Sequence, residues 1–444
     1  MGIKNYLVSL SEQFPEVLQA APPPTIDVLC IDLNAALHPI CAHSSNQDEF
    51  QRNLCGYLDR LLRKRKPRRI AIFADGQAVL AKASIQRKRR QKHLYDADDH
   101  SAISTLCVTP GTPFMHFIDA VVVEYLGRKS IPHHYSPSTV PNEGEIKMFQ
   151  WLRQFPDEVA CIVGDDADLI VLALLNAPLL RVFLFMQSKY ISIGRLVASL
   201  AALVDRPFGL AYHPVRRDVG LLSLLSGNDY LGHLVGFHAA MAAYRTFLRD
   251  KAGFLTQKNG RIHWGHFRQF VSKLECPPHQ HHTLNRPSVT ASDAMDYLCT
   301  LEWNVRLYTG DVIPNFQPSS ANISIATLQR NFPREVRLPP TDPAWLHPDV
   351  YLLLLMPIVG RRHLPESLQP YMADESPIRG LFPDPCDRCI EFKRVIREIE
   401  TDEQDKSQFR KRIAAANVAY RRHLNDEHPC AELPVEPIRA ALFG

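Results

Sequence analysis

Long apolar runs are missing from this chain of 444 residues, and so is a strong charge imbalance. The longest apolar stretches, such as Tyr351–Pro357, are far too short to cross a membrane as a helix. Nothing upstream of Cys30 resembles a secretory signal, because Met1–Phe14 lacks an apolar core of sufficient length. There are no internal repeats. The ten cysteines are scattered, which predicts a reduced intracellular protein whose cysteines serve mostly for packing, in the cytoplasm rather than the nucleus. A net charge of only +4 means that any affinity for nucleic acid must come from local patches. What remains, 45% hydrophobic and 22% charged, is an ordinary globular composition. The length suits two domains, or one large α/β domain with additions.

The chain is organised around Cys161–Ala173, CIVGDDADLIVLA. An apolar run ends in Gly164 and then in Asp165, Asp166 and Asp168, as a short buried strand delivering carboxylates to its C-terminal end. Ligand sites of open α/β sheets sit at that edge, and aspartates so close together repel one another unless a cation or proton relieves them. Two earlier strands finish alike. Asp27–Leu33 ends in Asp32, and Arg69–Ala74 ends in Asp75-Gly76. Asn142, Glu143 and Glu145 open a helix predicted over Ile146–Phe155, with Asn142 as its N-cap. An apolar helix, Asp218–Leu225, runs into Ser226-Gly227-Asn228-Asp229.

Helices are also predicted over Gly2–Phe14, Asp48–Lys66, Leu80–Lys92 and Phe114–Gly127, and a strand over Leu179–Phe185. Loops are predicted over Asp96–Ser104 and His133–Pro141. The basic end of the second helix (Arg63, Lys64, Arg65, Lys66) complements the helix dipole rather than forming a nuclear signal. On the third, Lys82, Gln86, Arg89 and Arg90 fall within about a 100° arc, while Arg87, Lys88 and Lys92 point elsewhere. Such a compact set of cations plus an amide suits a terminal phosphate better than a duplex backbone. Cys276 with His279, His281 and His282 lacks the second cysteine pair of a structural zinc site, and Cys386 with Cys389 is a lone CxxC in a proline-rich loop. Neither is read as a metal site. Trp303 and Tyr308, on a helix over Ser292–Tyr308, are read as core. Glu391–His423 is charge-rich, helical and peripheral.

Seven carboxylates thus group by motif: Asp32, Asp75, Glu143, Glu145, Asp166, Asp168 and Asp229. Oxygen donors alone indicate a hard cation, Mg2+ or Mn2+, rather than zinc. Seven acids can hold two such ions, and two ions about 4 Å apart can activate a water and stabilise the leaving oxygen of a phosphodiester.

In this order along the chain, MGIKNYLVSLSEQFP, IDLNAALH, FADGQAVLAKASIQRKRR, TPGTPFM, VPNEGEIKM, GDDADLIVL and LSGNDYLGHL resemble the Xrn family of 5′→3′ exoribonucleases. That family lies within the metal-dependent, PIN-like 5′ nucleases that include the flap endonucleases. The likeness is strong over about the first 240 residues and loose in patches of 290–385, such as AMDYLCTLEWNVRLYTG and ESPIRGLFP. It implies an α/β fold, a mostly parallel central sheet flanked by helices with a mainly helical second region. It implies residues 1–240 as catalytic core, 241–290 as a short linker, 291–385 as a degenerate second region walling the active site and 386–444 as a charged helical cap. It implies metal ligation by the seven acids, 5′-monophosphate binding by Lys82, Gln86, Arg89 and Arg90, and base stacking by His38; Asp165 is an accessory charge outside the ligand set.

The expected activity is two-metal hydrolysis of single-stranded RNA with a 5′-monophosphate to nucleoside 5′-monophosphates, by a monomer with no membrane partner. The chain departs from the family in lacking an aromatic-rich run at Thr309–Gln317 and a tryptophan-glutamate motif late in the second region, and reads as a minimal member. Two alternatives stay open: a structure-selective DNA 5′ nuclease, and a catalytically silent RNA-binding protein. Loss of ligands would mark the latter, and none of the seven acids is lost.

Overall fold

A computed structural model describes residues 10, 12–91, 94, 103–176, 181–204, 212–250, 253–276, 291–319, 323–401, 406–427 and 433–444. Its centre is a seven-stranded sheet: β1 (Leu18–Gln19), β2 (Val28–Asp32), β3 (Arg69–Phe73), β4 (His133–Ser136), β5 (Ala160–Val163), β6 (Val182–Met186) and β7 (Lys189–Ser192). The spatial order is β1-β7-β6-β5-β2-β3-β4. Strands β4, β3, β2, β5 and β6 pair in parallel, and β7 and β1 close one edge antiparallel. The central strands are buried on both faces, which is why VLCID and ACIV read as unbroken apolar runs rather than alternating ones.

Sixteen helices are labelled among the described residues. The first eight are α1 (Leu33–Ala42), α2 (Gln47–Arg65), α3 (Leu80–Gln91), α4 (Pro113–Gly127), α5 (Gly144–Leu152), α6 (Asp168–Leu175), α7 (Ile193–Leu203) and α8 (Tyr212–Leu224). Then follow α9 (Phe237–Asp250), α10 (Trp264–Val271), α11 (Ala291–Tyr308), α12 (Ile325–Arg330), α13 (Pro348–Leu355), α14 (Asp387–Thr401), α15 (Lys406–Glu427) and α16 (Val435–Phe443). No helix is long and apolar enough to cross a membrane among the described residues.

The chain divides into two compact units. One comprises Met1–Leu37, Leu54–Lys82 and Val122–Trp345 and contains the whole sheet; the other comprises His38–Asn53, Ala83–Val121 and Leu346–Gly444. Within the second, Phe50 meets Phe114 edge-on at 5.1 Å, and α14 packs on α15.

The sequence reading needs two corrections. The expected loop His133–Pro141 begins with an edge strand, β4, paired in parallel with β3. His133 and His134 lie on a partly exposed edge, so the strand carries no apolar run to announce it. Asn142 is not the N-cap of α5. It precedes the cap residue Glu143, has a left-handed φ of 95° and accepts the Glu143 N–H on its Oδ1 at 3.0 Å. Asparagine tolerates that region better than most side chains. The expected helix Gly2–Phe14 and loop Asp96–Ser104 lie mostly outside the described residues, as do His279, His281 and His282.

Candidate active site

In the sheet order, the chain leaves β2 for β3 on one side and later returns to lay β5 on the other. The C-terminal ends of β2 and β5 therefore form the topological switch point, where open α/β sheets bind ligands. Asp32 is the last residue of β2, Asp166 and Asp168 follow β5, and Asp75 follows β3 by two residues.

Local hydrogen bonds aim these carboxylates. The Asn34 N–H donates to Asp32 Oδ1 at 3.1 Å, while Asn34 Oδ1 accepts the Asp75 N–H at 2.9 Å. Asp75 Oδ1 accepts the Gly144 N–H at 2.7 Å, at the positive end of α5. Gly76 makes that approach possible: a Cβ there would lie 1.8 Å from the Val140 carbonyl oxygen. Backbone bonds Gly76 N–H to Asn142 O (2.9 Å) and Asn142 N–H to Gln77 O (2.7 Å) then lock the exit of β3 to the entry of α5. Asp166 Oδ1 accepts the N–H of Asp168, the first residue of α6, at 3.0 Å. After α8, Asn228 Oδ1 gathers the N–H groups of Tyr230 and Leu231, both at 2.9 Å, and presents Asp229. Gly227, at φ 85°, supplies a turn conformation unfavourable to other residues.

The structure brings all seven acids and Lys82 into electrostatic contact within the first unit. Burial and then the charge of Asp75 push Asp32 up to about 8. Burial and then Asp166 push Asp168 up to about 6. Burial, reinforced by Asp166, Glu143 and Asp168, holds Glu145 well above the usual carboxylate range; burial and Glu143 also raise Asp75. The Lys82 ammonium, expected at a terminal phosphate, lies 2.9 Å from Glu143 and 3.1 Å from Asp229. Burial opposes its charge, but Glu143, Tyr230 and Asp229 outweigh that and hold it protonated.

Two buried carboxylates show what the cluster lacks. Asp218, on α8, is satisfied by the Tyr244 hydroxyl, the N–H groups of Leu255 and Thr256, and the Thr256 hydroxyl, at 2.6–2.8 Å. It is structural. Asp168 Oδ2 accepts the Tyr308 hydroxyl at 2.7 Å, but its buried Oδ1 has no hydrogen-bond partner among the described residues. An orphaned carboxylate oxygen among crowded acids suits a divalent cation held by hard oxygen donors. Asp32, Asp75, Glu143, Glu145, Asp166, Asp168 and Asp229 are the residues that could hold it.

The remaining expected residues fall elsewhere. Asp165 is exposed, and its Oδ1 accepts the Gln187 N–H at 3.3 Å in the β6–β7 turn, where Gln187 and Ser188 both have positive φ. In the second unit, Gln86 accepts the Tyr351 hydroxyl at 2.9 Å, and Arg90 donates to Thr109 at 3.1 Å. Arg87 donates to the carbonyls of Leu354 and Leu381, which anchors a cation already expected off the common face. Arg89 is partly buried on the same helix, and His38 is exposed on α1, one residue before Pro39.

Sequence reasoning missed the tyrosines. Tyr230 donates to Glu143 at 2.9 Å, and Tyr308, read as core, is buried with its hydroxyl on Asp168. Trp303 is core as expected: fully buried, stacked on Phe316 at 5.2 Å and bonded to the Ile313 carbonyl. Because the Tyr308 bond favours the charged form of Asp168, Tyr308→Phe is expected to raise the carboxyl's pKa and move the acid limb of Mn2+ binding to higher pH. It should cost roughly 1.5–3 kcal/mol of stability. Mn2+ titrations from pH 5 to 8 and denaturant melts check both.

Residues 1–183 match the family described as "XRN 5'-3' exonuclease N-terminus". Among curated proteins, the chain is 24% identical over 354 residues to 5′-3′ exoribonuclease 1 of Homo sapiens, covering 63% of this chain and 20% of that protein. It is 25% identical over 345 residues to 5′-3′ exoribonuclease 1 of Schizosaccharomyces pombe, covering 62% and 26%. The chain thus spans about a fifth to a quarter of the length of these relatives. A solved structure of the catalytic core of Rad2 in complex with DNA substrate covers 74% of this chain and 92% of its own, at 13% identity and a TM-score of 0.38, too distant to carry weight. Over residues 1–183 the chain is thus similar to the N-terminal region of the Xrn 5′-3′ exonucleases.

Proposed function

We propose that this protein is a 5′→3′ exoribonuclease that uses two divalent ions, Mg2+ or Mn2+, to degrade single-stranded RNA bearing a 5′-monophosphate to nucleoside 5′-monophosphates. The observation that carries this reading is the gathering of seven carboxylates from five separate chain segments at the C-terminal edge of a parallel sheet, with one buried oxygen lacking a partner among the described residues. When bound there, divalent ions would supply a polarised water and neutralise charge at the scissile phosphodiester. The chain's own residues prepare the site. Asn34 and Gly144 orient Asp32 and Asp75, Tyr308 fixes one oxygen of Asp168, and Lys82 keeps Glu143 and Asp229 from repelling each other.

The face of α3 carrying Lys82, Gln86, Arg89 and Arg90 is assigned to the terminal phosphate, and His38 to the first base. Arg89→Ala is expected to shrink the preference for 5′-phosphate over 5′-hydroxyl RNA by roughly 10-fold or more, the scale of one lost charge-assisted bond. Competition between the two RNAs under single-turnover conditions checks it. If wild-type protein degrades 5′-hydroxyl RNA as fast as 5′-phosphorylated RNA, the pocket assignment fails. If it prefers a DNA flap to single-stranded RNA, the substrate assignment fails.

A further inference from the structure

The C-terminal part of the second unit holds a group of side chains that the carboxylate site does not use. Cys386 precedes α14, Cys389 lies in its first turn, and His423 lies in the last turns of α15. One ligand atom from each falls within 4.8 Å of the other two. Cys386 Sγ is 3.4 Å from His423 Nε2. A tetrahedral zinc ion with Zn–S near 2.3 Å and Zn–N near 2.0 Å would separate such atoms by about 3.5–3.8 Å, so the Cys386–His423 pair is at ligand spacing and Cys389 needs at most a small side-chain adjustment to join it.

We propose that Cys386, Cys389 and His423 bind a zinc ion that staples the start of α14 to the end of α15. The donor set is two sulfurs and an imidazole, which selects zinc over the magnesium-type ions that the all-oxygen cluster of the first unit suits. Cys389 is fully buried and His423 nearly so, so the ion would be enclosed rather than held by mobile surface groups. Leu94, Ile358, Tyr420 and Leu424 pack around the cysteines, and the Phe392 ring lies 5.6 Å from the His423 ring.

A structural reason for a staple is visible in α15 itself. Over residues 411–424, His423 alone is buried, and the helix carries few large apolar side chains among its alanines and charged residues. Such a helix gains little from apolar packing, whereas metal binding contributes folding free energy directly. The three ligands fill three positions of a tetrahedral ion; the fourth is not assigned.

Metal analysis of the full-length protein, purified reduced, supplied with Zn2+ and desalted, tests this. About one zinc per chain is expected. Cys389→Ser and His423→Ala should each lose it, while Cys55→Ser and Asp166→Asn should keep it. In the intact chain, Co2+ replacing zinc should give thiolate-to-cobalt charge-transfer absorption and the visible band of a tetrahedral ion. This second measurement stands even if a ligand variant fails to fold. Zinc absent after desalting, zinc retained by folded Cys389→Ser, or Co2+ bound without thiolate absorption would overturn the proposal. So would a Cys386–Cys389 disulfide in the reduced preparation.

Discussion

Asp166→Asn is expected to slow RNA cleavage by at least ~1,000-fold, equivalent to about 4 kcal/mol of transition-state stabilisation, while leaving the fold intact. Asparagine keeps the side-chain oxygen that accepts the Asp168 N–H, so this bond at the start of α6 survives. It removes the charge that raises the carboxyls of Asp32, Asp168 and Glu145. Without divalent ions, the variant should therefore melt no lower than the wild type, and by this electrostatic argument higher. A site built for binding is strained when empty, and relieving it trades function for stability. Single-turnover cleavage and thermal melts in Mg2+-free buffer measure the two halves. A variant that loses activity only because it melts well below the wild type would contradict the assignment.

The second large effect is on stability against pH. In the metal-free protein, Asp168 titrates near 6 and Asp32 near 8, against about 3.9 for a free aspartate. Between those limits the folded state binds more protons than the unfolded state, so stability falls as pH rises from about 4 to about 8. Asp168 alone contributes on the order of 3 kcal/mol to that loss, and Asp32 adds to it. A divalent ion that satisfies the ionised carboxylates should largely abolish the slope and stabilise the protein most at high pH, where no proton competes. Urea melts between pH 5 and 8.5, in Mg2+-free buffer without chelator and again with saturating Mg2+, compare the two slopes. Equal slopes with and without Mg2+ would mean that the cluster does not bind it.

The parts of this architecture that were legible in the sequence share a physical cause. A buried parallel strand must be apolar throughout, so Asp32, Asp75 and Asp166 stand out as acids at the ends of apolar runs. Where burial is partial, the signal fades: β4 reads His-His-Tyr-Ser, and β7 with α7 gave no reading at all. Long-range hydrogen bonds leave no local pattern. Tyr308 reaches Asp168 across 140 positions, and at sequence level its ring is indistinguishable from core. Lys82 lies on the expected helical face, yet burial beside Glu143 and Asp229 draws its ammonium to the acids. Cys386 and Cys389 form a lone CxxC until α15 returns His423 to them. The charge pattern was visible, but the donors that tune it were not.

The most direct test uses RNA with a 5′-monophosphate and a fluorophore at its 3′ end, incubated with the full-length protein with and without Mg2+. The account predicts Mg2+-dependent loss of full-length RNA, with the label passing into short 3′ fragments while nucleoside 5′-monophosphates are released from the 5′ end. Immediate appearance of the label on a mononucleotide, or no Mg2+-dependent loss of the RNA, would contradict it.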